Sequence, residues 1–414
     1  MPDSPSKSDS VNTAIRHAVA CLVFGNAVGL YLALLLLKPN WQLGALSYGR
    51  WMPVHLNVQL YGWTSLPLVA WLLSIYQVPR SRNATWGHAA VWAWTAALAV
   101  GVFHWLDGNS SGKLFLDWKN GSLHAFIVAL VILWCVLAGA WLEHRRTWSK
   151  TRTRAALLGL LGLGLVPISM AIAASPSVYP PIDRTTGGPT GSSLQGSALF
   201  VVGLMLLLPR IIIDRPRHTR NAKVWIFLAI SFSVFGVTEA MGGTHRDPHQ
   251  IFSVLLLLPW VWLLPHDWKG FDWPQGARFW RDAMFGWWGF LVLSSLLMYQ
   301  NGILDRIKFT QALVAHSHMA MAGFTTSFCA LLIVLLTRRL LGSGISVLSW
   351  HAATLVMLIS LAAAGWMEGG ASEWMLDPPA WRVIGFTIRA LCGAVMLTVS
   401  ANWLWKFKTS CTEN

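Results

Sequence analysis

Apolar stretches, each about as long as a bilayer is thick, alternate with short polar joints along almost the whole chain. A spanning helix needs about 20 mostly apolar residues. The pattern predicts twelve, at approximately 14–37, 54–79, 84–106, 120–142, 154–175, 191–213, 223–241, 248–265, 283–300, 309–336, 345–367 and 382–405. The polar segment GGTHRDPHQ separates the seventh from the eighth and makes them the least regular pair. Proline and glycine inside spans, as in LVPIS and LLLLPW, are tolerated where neighbouring helices satisfy the freed backbone groups. No internal repeat is evident, and no joint is long enough for a second domain. The expectation is an all-α polytopic membrane protein. It has a polar N-terminal tail over 1–13, one twelve-helix membrane domain over 14–405 and a C-terminal tail over 406–414.

Composition narrows the function classes. Of 414 residues, 55% are hydrophobic and 12% charged, against roughly 25% charged in soluble domains. A water-soluble enzyme of this size cannot cover so much apolar surface. The net charge of +14 would suit nucleic acid, but its distribution has a simpler cause. With the N-terminus inside, most Lys and Arg fall on inner joints, among them Arg145, Arg146, Lys150, Arg152 and Arg154, then Arg210, Arg215, Arg217, Arg220 and Lys223. That is the positive-inside rule. It puts both termini in the cytoplasm and leaves membrane lipid, not nucleic acid, facing the basic groups. The opening MPDSPSKSDSVNT lacks an h-region and a cleavage site, so the first span is expected to be retained. Cys21, Cys135, Cys329 and Cys392 lie in apolar runs, and Cys411 is near the end. Without CxxC or CxxCH, neither a disulfide framework nor c-type haem is expected.

Several of the 13 histidines fall at membrane depth, where an ionisable side chain marks a functional site by default. The tenth span reads QALVAHSHMAMAGF. His316 and His318 are two positions apart, about 200° around a helix, so they address centres on opposite sides of it. Haem iron takes one or two axial imidazoles in this way. His55, in RWMPVHLNVQLYGW near the outer end of the second span, lies in the same half of the bilayer as His318. The two can meet across one porphyrin, with His316 ligating a second haem. Interhelical hydrogen bonding is the plainer alternative. His88, His104, His124 and His351 suit polar packing, although His104 and His124 flank an outer joint and leave room for a further site. His144, His218 and His266 sit at inner boundaries. Tryptophans near span ends, including Trp41, Trp51, Trp148, Trp268, Trp273, Trp374 and Trp381, fit an aromatic belt. Trp63, Trp287 and Trp288 face either porphyrin or, more plainly, other helices and lipid.

Together these features resemble subunit I of the haem-copper oxidase superfamily, especially the branch holding cbb3-type oxidases and bacterial nitric oxide reductases. The resemblance rests on twelve spans, RWMPVHLNVQLYGW, the HxH of the tenth span and the last span, FTIRALCGAVMLTVSANW. It implies that His55 and His318 bind low-spin haem b, that His316 binds a high-spin haem, and that Arg389 lies on the propionate side. Arg50, Arg246, Arg306, Lys308 and Arg382 are further outer cations, for which ordinary loop charge is the alternative. A bacterial cytoplasmic-membrane location is implied as well.

The chain also departs from that family. Active members hold copper (CuB) or non-haem iron (FeB) with one histidine in the sixth span and an adjacent pair in the seventh. Here those spans read SSLQGSALFVVGLML and FLAISFSVFGVTEAMGG, without histidine. Thr238 and Glu239 stand near the place of the pair, and no Tyr lies between Tyr179 and Tyr299. The usual second metal is therefore not expected. His245 and His249, four apart, with Glu239 form a possible substitute, since a carboxylate and two imidazoles suit non-haem iron. A propionate-contacting or partner-binding loop is the alternative. Glu239 also stands as a proton-relay candidate.

Three roles are open. The preferred one is a b-type cytochrome subunit passing electrons through a low-spin haem b and a second haem. It would exchange them with a periplasmic c-type or multihaem cytochrome in a hetero-oligomeric respiratory complex. The alternatives are a divergent catalytic subunit I of a cbb3-like cytochrome c oxidase or nitric oxide reductase, and a non-redox, transporter-like membrane protein.

Overall fold

A computed structural model describes residues 9–82, 84–178, 180–182, 195–213, 222–300, 302–370 and 379–409. Tyr179, Arg215, Arg217, His218, Arg220, Trp374, Cys411 and most of both terminal tails lie outside the described residues. Long helices carry the rest: α1 Ser10–Leu37, α2 Tyr48–Ile75, α3 Ala84–Leu106, α4 Asn120–His144, α5 Lys150–Ala174, α6 Gln195–Ile212, α7 Ala222–Met241, α8 Pro248–Trp268, α9 Gln275–Met298, α10 Gln311–Thr337, α11 Gly344–Glu368 and α12 Ala380–Thr409. The described residues contain no β-strand, and Leu43 and Leu46 form an isolated bridge. In lipid a helix satisfies its own backbone groups, which is why apolar runs of this length fold in no other way here.

Each helix overlaps one predicted stretch, but they are not equally apolar. Eleven are long and apolar enough to cross a membrane. The exception is α9, whose first turns carry Arg278, Arg281 and Asp282 and whose remainder is diluted by Trp, Gly and Ser. Its 24 residues still extend about 36 Å at 1.5 Å per residue. The proline in LLLLPW does more than kink α8. The helix is interrupted over 256–259 and resumes at Trp260.

The chain forms two compact units. The first comprises residues 1–181, 336–353 and 390–414. In it α1 packs on α2 and α3, and α4 packs on both α3 and α5. A buried polar chain ties α1 to α12, with Asn26 Nδ2 donating to Ser400 Oγ at 3.0 Å. The joint after α3 folds back over α5. Lys113, buried, donates to the carbonyls of Ala173 and Ala174 at 2.8 and 2.6 Å. These are orphan acceptors of a helix C-terminus, and burial pushes the Lys113 amine down from its ordinary range. By contrast, α5 buries only Ala156, Leu160 and Ala174. Its exposed leucines and isoleucines form a surface suited to lipid.

The second unit comprises residues 182–335 and 354–389. Arg210 at the end of α6 makes two 2.8 Å bonds to Asp267 in α8. A bidentate arginine pair satisfies a carboxylate that would be costly to bury alone. In α10 the ten residues Thr326–Leu335 are all buried. A helix apolar on every side is one enclosed by protein.

Candidate functional site

His55 is seated by α1 through glycine. The segment GNAVG places Gly25 and Gly29 one turn apart, a small-xxx-small pattern that allows close helix approach. A Cβ on Gly29 would stand 2.6 Å from His55 Cε1, and one on Gly25 would stand 2.7 Å from Gln59 Nε2. The Gly25 carbonyl lies 2.8 Å from His55 Nδ1. A carbonyl only accepts, so Nδ1 carries the proton and Nε2 the lone pair. Gln59 Nε2 then donates to Asn26 Oδ1 at 3.0 Å, joining this part of α2 to the Asn26–Ser400 chain.

Immediately beyond, Val58–Thr64 is π-helical. Such a turn holds one extra residue and is concentrated at functional sites. Hydroxyls close its longer ring, with Thr64 Oγ1 donating to the Gln59 carbonyl at 3.2 Å and Ser65 Oγ to Leu60 at 2.9 Å. The Trp94 indole donates to the Tyr61 carbonyl at 2.7 Å. Gly62 leaves room for Cys21, whose Cβ would be 2.6 Å from an added methyl.

In the second unit α10 repeats the arrangement. His318 Nδ1 lies 2.8 Å from the Val314 carbonyl, one turn back, and so holds its proton there. His316 Nδ1 lies 3.1 Å from Ser294 Oγ of α9. Met319–Thr325 is π-helical, and Thr326 Oγ1 donates to the Met321 carbonyl at 3.0 Å. Trp287 packs into the space above Gly323. The Trp288 indole donates to the Trp260 carbonyl at 3.3 Å, and Trp63 in the first unit is buried. All three tryptophans thus pack among helices.

The start of α10 is gripped by α11 and α12. Glu368 Oε2 accepts from the Gln311 backbone N–H at 2.7 Å, a negative group at a helix N-terminus. Buried Arg389 donates to Gln311 Oε1 at 3.1 Å. Arg389 is therefore tied to the helix that carries both histidines, five and seven residues from Gln311. Arg306 lies 4.2 Å from the Trp366 ring centre and Arg382 lies 5.2 Å from that of Phe386.

His245, His249 and Glu239 are not gathered into a ligand set. His245 Nε2 faces Asp305 Oδ1 at 3.4 Å. Lys308 and Arg246 bind the same carboxylate at 3.0 and 2.8 Å, and these bonds, Lys308 foremost, pull it down to about 2. His249 Nε2 lies 2.8 Å from the Gly242 carbonyl, and Glu239 is exposed. Among the described residues no group of three or more His, Cys, Asp or Glu is placed to hold a metal ion. In the spans where the resemblance expects ligands to copper or non-haem iron, and in α8 beside them, the groups in contact are neutral. Ser253 Oγ donates to Gln195 Oε1 at 2.7 Å, and Thr238 Oγ1 lies 3.0 Å from Ser253 Oγ. Amide and hydroxyl groups that satisfy each other do not fit such a metal. His104 turns Nδ1 to the Val100 carbonyl at 3.0 Å.

Gly25, Gly29, Ser294, Gln311 and Glu368 are absent from the sequence expectations. Only GNAVG carried a usable signal. Serine, glutamine and glutamate near span ends are too common to stand out.

No protein-family model matches the chain, and no curated protein matches it. The structure is similar to a heme-copper terminal oxidase solved by cryo-EM as a dimer. The TM-score is 0.53 at 11% identity, over 98% of this chain and 85% of that one. Likeness at this identity is one of fold. The chain is an all-α, multi-pass membrane protein with a fold like that of haem-copper oxidase subunit I.

Proposed function

We propose that the chain is a haem-bearing subunit I of a membrane oxidoreductase complex. His55 and His318 serve a low-spin haem b, and His316 serves a second haem. The observation that carries this reading is shared by all three rings. Each has Nδ1 hydrogen-bonded to protein, as in histidines that present Nε2 to a metal. Haem b held there would supply reversible one-electron transfer and a place for a diatomic ligand. The residues supply the rest. α1 orients His55, and Arg389 with its neighbours provides positive charge for propionates at the Gln311 end of α10. Spans six and seven do not fit CuB or FeB, and no step is assigned to either.

Two forms of the role have separate support. The fold likeness, which extends over 98% of the chain, favours a divergent catalytic subunit of a cbb3-like oxidase or nitric oxide reductase. The neutral Gln195–Ser253–Thr238 cluster favours an electron-transfer cytochrome. Either form takes electrons from a periplasmic c-type or multihaem cytochrome in a complex of the bacterial cytoplasmic membrane, with both chain termini cytoplasmic. His318→Ala is expected to abolish the low-spin absorption band and leave the second haem. His316→Ala is expected to do the reverse. An unchanged spectrum in either variant would refute that ligand. Rapid turnover of reduced cytochrome c with oxygen or nitric oxide by the purified complex selects the catalytic form, and its absence selects the other.

A further inference from the structure

No repeat stands out along the sequence, yet α2 and α10 share one. In each, a histidine is followed seven residues later by glycine, an aromatic residue, threonine and a second hydroxyl residue: His55 with Gly62, Trp63, Thr64 and Ser65, and His316 with Gly323, Phe324, Thr325 and Thr326. In each, the π-helical turn begins three residues after the histidine, at Val58 and at Met319. In each, the long helix just before it in the chain fills the space at the glycine, with Cys21 of α1 in one case and Trp287 of α9 in the other. That same preceding helix also supplies the partner of the histidine Nδ1, the Gly25 carbonyl or the Ser294 hydroxyl. Sequence spacing, backbone form, glycine contact and Nδ1 partner therefore agree independently.

The two hairpins differ in the acceptor. Ser294 Oγ has one proton, and it has acceptors besides the imidazole in the Leu291 carbonyl at 3.0 Å and Met319 Sδ at 3.6 Å. With the proton on either of these, the hydroxyl accepts from His316 and Nδ1 is the donor. We propose that Ser294 is a positioning residue for His316. On this reading α1–α2 and α9–α10 are two forms of one haem-binding hairpin, one with a fixed backbone acceptor and one with a replaceable side-chain acceptor. The proposal rests on the reading of His55 and His316 as axial ligands. An acceptor on Nδ1 fixes the ring and raises the basicity of Nε2, which strengthens its bond to iron and favours the ferric state. Removing that acceptor weakens the bond and makes the haem easier to reduce.

The test uses the full chain purified in its complex, with Ser294→Ala and Ser294→Thr. Haem content is read by pyridine haemochrome, the iron–imidazole stretch of the reduced high-spin haem by resonance Raman, and its potential by redox titration. Ser294→Ala is expected to keep haem content and the low-spin band, lower the stretching frequency and raise the high-spin potential. Ser294→Thr should restore both values. Selective loss of the high-spin haem in Ser294→Ala, regained in Ser294→Thr, is also a supporting result. An unchanged stretch and potential in haem-replete Ser294→Ala overturns the proposal. So does loss of both haems in both variants, which marks Ser294 as a packing residue. A wild-type complex without haem would instead remove the functional reading beneath it.

Discussion

At position 29 the missing side chain is what makes room for an imidazole. A methyl group there would meet His55 Cε1 at 2.6 Å, and overpacking of this kind costs about 1–3 kcal/mol when the structure yields. A side chain shifts more readily than a helix backbone, and the ring would leave the Gly25 carbonyl as it moved. On the proposed haem reading, Gly29→Ala is expected to weaken or remove the low-spin band while sparing the haem assigned to His316. The companion change Gly286→Ala, where nothing lies within 4 Å, should alter neither. Low-temperature visible spectra of both variants check this, and an intact low-spin band in folded Gly29→Ala would show that α1 does not seat the ring. Histidine, arginine and the HxH spacing were legible because their chemistry is conspicuous in an apolar span. Gly29 and Ser294 were not, because their roles depend on which helix lies opposite.

At the scale of the element, the π-helical turns decide where the histidines point. Each extra residue rotates the N-terminal part of its helix by about 100° relative to the C-terminal part. Deleting Ala320, downstream of both His316 and His318, should remove both haem signals. Deleting Leu60 should remove only the low-spin signal. Thr326→Val forfeits one hydroxyl bond, worth about 0.5–1.5 kcal/mol, and should keep both. Haemochrome assays and visible spectra of membranes carrying each variant are the measurement, with retained signals in the Ala320 deletion as the adverse result. Composition gives no hint of a π-helical turn, since VQLYGWT and MAMAGFT read as ordinary spans. The repeat was hidden for a related reason. Only His, Gly and Thr are identical between the two segments, and its force comes from the backbone. The break in α8 was half legible, because the proline was visible but its four-residue interruption was not.

Across the molecule, the fold was the most legible feature. Long apolar runs admit only helices in lipid, and their number and order led to the oxidase-like architecture that structural likeness supports despite 11% identity. The absence of histidine from α6 and α7 was equally plain, but not the identity of the groups that stand there. The Gln195–Ser253–Thr238 cluster joins residues far apart in sequence and has no motif. The claim that unites these scales is that the chain holds haem b on histidines of α2 and α10. Pyridine haemochrome analysis of the purified complex, with copper and non-haem iron measured on the same sample, tests it most directly. Haem b stoichiometric with the chain, with a low-spin component lost in His318→Ala, is the predicted result. A pure, folded complex without haem b would contradict it.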